Sequence, residues 1–170
     1  MTKVYLVKIS PSGRRVSDKS ELRKKAYGLV SKKLSGEIKK HENGKPYVEG
    51  SPVFFNISHS ASFAAVAFSE YEVGVDIELL RDVNLRITEK FHADEQRYVF
   101  SSEDKRTAFF EVWTAKEAYL KKSGTGITVP LNSFSVIGMK NIHRFSYENL
   151  IITVCSEETP QFCGLLQDEA

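Results

Sequence analysis

Apolar and polar positions alternate through "KVYLVKI" near the start of the chain, the two-residue period of a strand with one buried face. The polar run "SPSGRRVS" that follows reads as a loop. From Asp18 the period lengthens: Leu22, Ala26, Leu29, Val30 and Leu34 fall at helical spacing, and Gly36 supplies a stop. "ENGKPYVEGSP" is turn chemistry, an Asn-Gly followed by a Lys-Pro that favours extended backbone. Three strand-like runs come next, "VFFNIS", "FAAVAFS" and "YEVGVDIE", and the last two are predicted to form an antiparallel hairpin turning near Glu70. Helical spacing returns through "LRITEKF" and "ADEQRYVF". A long helix is predicted from a cap at Ser101 or Ser102 to Lys122, ended by Ser123-Gly124. Two further strand-like runs, "NSFSVI" and "LIITVCS", precede a polar tail.

Composition places this pattern in an ordinary globular class. With 170 residues, 41% hydrophobic and 27% charged, the chain can bury a real core as one compact unit or as two small, closely packed halves. No window approaches the roughly 20 apolar residues that a membrane-spanning helix needs, and "MTKVYLVKIS" lacks the marks of a secretory signal, so a cytoplasmic location with no membrane partner is expected. Cys155 and Cys163 have no metal-like spacing. The net charge of +2 conceals an asymmetry: residues 1–45 carry 13 Lys or Arg against 4 Asp or Glu, and the remainder carries 11 against 18. A basic first third suits a phosphate or an acidic protein partner. A nucleic-acid partner is not expected, because the basic helix lacks interleaved aromatics and any reading motif.

The candidate chemistry begins at "GVDIE". Alternation puts Val75 and Ile77 on one face of a strand and Asp76 and Glu78 together on the other, an arrangement met both on solvated strands and around a bound cation. On the long helix Glu117 and Lys121 are four residues apart, the spacing of a surface ion pair and equally of two groups aimed at one ligand. Taken together, Asp76, Glu78 and Glu117 are three oxygen donors, with Lys116 and Lys121 beside them. Such a set suits Mg²⁺, with Mn²⁺ as a substitute, and a phosphorylated substrate better than it suits zinc.

"GKPY" (44–47), "NISHS" (56–60), "GVDIE" (74–78) and "WTAKEAYLKKSGTG" (113–126), in this order, closely resemble the 4'-phosphopantetheinyl transferases of the surfactin-synthetase-activating type. The resemblance implies an α+β fold of two halves related by a pseudo-twofold axis, each with a small antiparallel sheet and a long helix. The halves would be 1–70, shortened and basic, and 71–170, carrying the metal site. It further implies Mg²⁺-dependent transfer of the 4'-phosphopantetheine arm from coenzyme A to a serine of an apo acyl or peptidyl carrier protein, releasing adenosine 3',5'-bisphosphate, in fatty-acid, polyketide or peptide synthesis.

By position, the resemblance makes Asp76, Glu78 and Glu117 the metal ligands. Lys116 and Lys121 would contact the coenzyme A phosphates, Lys45 the nucleotide, and Ser58 and His59 the region of the 3'-phosphate. Glu95 would help to deprotonate the carrier serine. A lone histidine at a strand end is otherwise an ordinary structural hydrogen-bonder. The chain departs from the pattern in its short N-terminal half, where Arg14 and Arg15 would replace part of a nucleotide clamp. The rival reading is a catalytically inactive homologue that binds coenzyme A or a carrier protein.

Overall fold

The computed structural model describes residues 1–9 and 19–166, with the side chains of Lys19 and Ile127 set aside; Arg14 and Arg15 therefore lie outside the described residues. The fold is α+β, and the described part contains the same strand-helix-hairpin plan twice. In the first, strand β1 (Lys3–Lys8) leads into helix α1 (Lys19–Lys33), and then, beyond a small β2 (Ile38–Lys40) and β3 (Pro46–Val48) pair, into the hairpin of β4 (Phe54–Ser60) and β5 (Phe63–Ser69). In the second, β6 (Gly74–Leu79) leads through α2 (Ala93–Ser101) and α3 (Lys105–Ser123) to the hairpin of β7 (Ile142–Tyr147) and β8 (Leu150–Cys155). In both, the opening strand pairs antiparallel with the second hairpin strand, β1 with β5 and β6 with β8. A last strand, β9 (Gln161–Leu165), crosses back and pairs parallel with β1. The sheet orders are β4-β5-β1-β9 and β6-β8-β7.

Alternation decides what each face meets. Val4, Leu6, Ala65 and Ala67 of the first sheet bury themselves against Val75, Ile77, Ile152 and Val154 of the second. The other face of the first sheet takes the Leu22-Ala26-Val30 stripe of α1 against Phe55 and Val66. The other face of the second sheet takes α3, where Ala108, Val112 and Ala115 share a cluster with Ile151. Asp76, two residues before Glu78, is paired with Thr153, and Thr153 shares a 2.7 Å hydroxyl hydrogen bond with Thr114 of α3. The acidic face of β6 is thus its helix side. At the start of the strand Gly74 makes close contact possible: a Cβ there would lie 1.9 Å from the Ala118 carbonyl oxygen and 2.5 Å from the Lys122 nitrogen.

Several boundaries differ from the sequence expectation. The hairpin is β4–β5, turning at Ala61 with φ 51°, and not β5–β6. Both edges of β5 are taken, by β4 and by β1, so β6 has no edge there to join. Helix α3 is capped by Asp104, whose Oδ1 accepts from the Thr107 N–H at 3.0 Å; Ser101 and Ser102 instead close α2. "NSFSVI" is not a strand: after a single 3-10 turn at Leu131–Ser133, its backbone serves two buried side chains described below. The polar tail contains β9, which carries Phe162 against Phe145 with ring centroids 5.3 Å apart.

Candidate active site at the seam of the two sheets

The two sheets meet side by side along β4 and β6, and every second residue of β4 crosses that seam. Asn56 Oδ1 accepts from the Val75 N–H at 2.9 Å, Ser58 Oγ donates to Asp76 Oδ1 at 2.7 Å, and Ser60 Oγ donates to Glu78 Oε2 at 3.0 Å. Ser60 Oγ also accepts from the Leu79 N–H at 3.0 Å. "NISHS" is thus a ladder of short polar side chains spelled at strand period, and it fixes where the acids of "GVDIE" stand. Hydroxyl and amide groups suit this task because the unpaired edge of β6 needs partners that a neighbouring strand would otherwise supply.

Asp76 is the buried centre of the cluster, 5% exposed. Its Oδ1 accepts from Ser58 and from Lys121 Nζ at 2.5 Å, and Lys121 Nζ also donates to Ser58 Oγ at 2.9 Å. Its Oδ2 is buried without a hydrogen-bond partner among the described residues. Burial pushes the Asp76 carboxyl above its ordinary value, with Lys121 and Ser58 opposing and Glu78 assisting. Glu117, half-buried one helical turn before Lys121, is also raised, first by burial and then by the charge of Asp76, with a smaller push from Glu78 and an opposing pull from Lys121. The charges of both acids of β6 thus reach Glu117. Glu78 is held by Ser60 and by Arg81 Nη1 at 2.8 Å. Among the described residues, no group of three or more His, Cys, Asp or Glu side chains is drawn close enough to hold a metal ion, and the ammonium group of Lys121 is the cation on Asp76.

Cavities adjoin both ends of this cluster. One of about 420 Å³ lies beside Glu78 and is lined by Leu22, exposed His59, Ser60 and Arg81. The other, of about 450 Å³, lies past the Gly74 end of β6 between the β2–β3 turn and the end of α3, lined by His41, Asn43, Lys45 and Lys122. There Lys45 Nζ pairs with Glu72 and donates to the Lys122 carbonyl at 2.7 Å.

Lys116 and Glu95 are not brought to the cluster. They form a buried ion pair at 2.8 Å with side chains 1% and 0% exposed. Lys116 Nζ also donates to the carbonyls of Leu131, at 2.6 Å, and Phe134, at 2.8 Å, and stands 4.0 Å from the centre of the Phe134 ring. Glu95 accepts from the His92 N–H at 3.0 Å, closing the capping box of α2, and from the Val136 N–H at 2.8 Å. Burial lowers the proton affinity of Lys116, against the pull of Glu95. Enclosed in this way, the pair pins the 131–136 segment onto α3. Positions 116 and 117 point about 100° apart around a helix, so a Lys-Glu step sends one side chain into the core and the other to the seam.

The model of the 4'-phosphopantetheinyl transferase superfamily matches residues 72–160. The chain belongs to this superfamily. It is 40% identical over 100 residues to the 4'-phosphopantetheinyl transferase gsp of Aneurinibacillus migulanus, covering 57% of this chain and 42% of that protein. It is 41% identical over 97 residues to psf-1 of Bacillus pumilus, covering 55% and 42%. A putative 4'-phosphopantetheinyl transferase of Haemophilus influenzae aligns at 26% identity over 164 residues, 87% of this chain and 66% of that one. The chain thus matches less than half the length of the first two relatives. Within the matched segment lie β6 and α3, which carry Asp76, Glu78, Glu117 and Lys121.

Proposed function

We propose that this superfamily member transfers the 4'-phosphopantetheine arm of coenzyme A to a serine hydroxyl of an apo acyl or peptidyl carrier protein, releasing adenosine 3',5'-bisphosphate. The observation that carries the reading is the geometry of the seam: Ser58 and Ser60 of β4 hold Asp76 and Glu78 of β6, Lys121 of α3 stands on Asp76, and the second carboxylate oxygen of Asp76 is buried and unpaired among the described residues. A buried anionic oxygen without a donor is costly unless a cation completes it. Oxygen donors alone, on rigid elements, fit Mg²⁺, which would be held by Asp76, Glu78 and Glu117. When bound, it would supply charge neutralisation at the diphosphate of coenzyme A.

The chain's own residues do the rest. Lys121, bonded to Asp76 and 30% exposed, would be free on its solvent side to meet a ligand oxygen. Its charge offsets that of a diphosphate laid along the seam. Lys45 and His59, lining the two flanking cavities, bracket the seam where a long nucleotide-bearing ligand would lie. Attack by the serine requires loss of one proton, and Glu95, enclosed against Lys116, stands apart from the cluster. The basic exposed face of α1, with Arg23, Lys24 and Lys32, offers charge complementarity to an acidic carrier.

The test is incubation with coenzyme A, Mg²⁺ and an apo carrier protein, followed by the mass of the carrier. A gain of one phosphopantetheine is expected, reduced at least about 100-fold in rate by Glu117→Gln with folding retained. Tight coenzyme A binding without any gain in carrier mass would establish the inactive homologue instead.

A further inference from the structure

Lys121 has two claims on its charge, and the structure shows only one of them met. Its Nζ lies 2.5 Å from Asp76 Oδ1 and 2.9 Å from Ser58 Oγ, while Ser58 Oγ donates to the same Asp76 oxygen at 2.7 Å, so ammonium, hydroxyl and carboxylate close a triangle. Lys121 is the cation that offsets the Asp76 charge, and it stands at the solvent boundary with 30% of its side chain exposed. Asp76 itself is fixed on a strand whose backbone is paired with β8. Between a strand-bound carboxylate and an ammonium on a four-carbon stem, the ammonium is the partner that can move.

We propose that Lys121 is an internal counter-ion occupying the place of the divalent cation at Asp76, and that it must swing away before that cation is bound. The proposal rests on the reading of Asp76, Glu78 and Glu117 as cation ligands. A dication beside a retained ammonium would face like-charge repulsion that a half-buried site screens poorly. A diphosphate relieves it by giving Lys121 another anionic partner. The free protein is then expected to take metal weakly, and metal and diphosphate to bind as a unit. The same exchange accounts for the acids of the seam not being gathered about one point while the ammonium holds a corner of the cluster.

The experiment measures Mn²⁺ binding to the full chain without coenzyme A, by the paramagnetic resonance signal of the free ion, with wild type and all variants compared at one pH of about 8. Lys121→Met should bind Mn²⁺ at least about tenfold more tightly than wild type, Lys121→Arg should match wild type, and Asp76→Asn should lose binding. Lys121→Gln, which keeps a hydrogen-bond donor for Asp76 without the charge, serves where the methionine variant folds poorly. For either neutral variant the melting temperature without metal should fall, and the rise on adding Mn²⁺ should exceed that of wild type. Equal or weaker Mn²⁺ affinity in both neutral variants would overturn the counter-ion role and leave the metal ligands standing. No Mn²⁺ binding by any variant, even with coenzyme A present, would overturn the metal reading and this inference together.

Discussion

Gly74→Ala tests the geometry on which the seam depends. A methyl group there would sit 1.9 Å from the Ala118 carbonyl oxygen, 2.5 Å from the Lys122 nitrogen and 3.0 Å from the Ala118 carbonyl carbon. These are backbone atoms, which have no rotamer to turn away. Since non-bonded carbon contacts settle at about 3.5–4.0 Å, β6 and α3 must separate by about 1–2 Å. Overpacking of this kind costs about 1–3 kcal/mol, and occasionally more. For a chain of this size, about 2–4 °C is lost per kcal/mol, so the melting temperature should fall by several degrees. The displaced residues, Ala118 and Lys122, are the helical neighbours of Glu117 and Lys121. Moving them by about 1 Å should cost transfer activity on the order of 100-fold, because catalysis by positioning tolerates little displacement. Thermal unfolding by circular dichroism and the rate of carrier mass gain give the two readouts.

Gly28 supplies the control. It lies on α1, and a methyl group added to it would have nothing within 4 Å, so Gly28→Ala should raise stability by about 0.5–1 kcal/mol, the opposite sign from Gly74→Ala. A Gly74→Ala protein that melts with wild type and transfers at the wild-type rate would show that α3 does not need this close approach, and would refute the argument.

Other expectations follow from the buried charges. Asp76 and Glu117 hold protons more tightly folded than unfolded, so the stability they contribute is greatest at or below their unfolded values of 3.8 and 4.5 and declines as pH rises from there through the raised values. The decline is at most about 1.4 kcal/mol per pH unit for a group fully differing in protonation, smaller for the partly exposed Glu117, and Asp76→Asn should flatten it. Urea unfolding of both proteins across this window, with chelator present, measures the difference; parallel curves would count against a raised Asp76. Lys116→Met leaves Glu95 enclosed without its cation and should cost about 3–5 kcal/mol. The double variant Lys116→Met/Glu95→Gln should cost less than Lys116→Met alone, as read by the urea midpoint.

What was legible in the chain was local. The alternation of "GVDIE" places both acids on the helix side of β6, and a four-residue step sends Glu117 and Lys121 to one face. The same helical geometry separates Lys116 from Glu117, a distinction that nearness in sequence conceals. Glu95, 21 positions before Lys116, becomes its partner only through tertiary packing, which no window on the sequence contains. The strand pairing of the hairpin differs from the local expectation for a related reason. "FAAVAFS" pairs on both edges, and which strands take those edges depends on β1, more than 50 residues upstream. Two further signals are present in the sequence. A glycine at the start of a buried strand marks close backbone approach, and Asn56, Ser58 and Ser60 at strand period mark a polar seam.

The seam explains why an acid as buried as Asp76 can persist at all. Its own sheet provides only backbone pairing, through β8; the hydroxyl comes from Ser58 of the other sheet and the countercharge from Lys121 of α3. Three elements must therefore be docked before Asp76 is tolerable as an anion, and loosening any one leaves an under-solvated charge in an apolar setting. The cluster is thus a sensor of how the two sheets sit together. A ligand that binds across the seam adds its affinity to that docking, so coenzyme A with Mg²⁺ should raise the melting temperature of the whole chain in a single transition. Two transitions, only one of them ligand-dependent, would mean that the sheets unfold separately and that the site belongs to one of them alone.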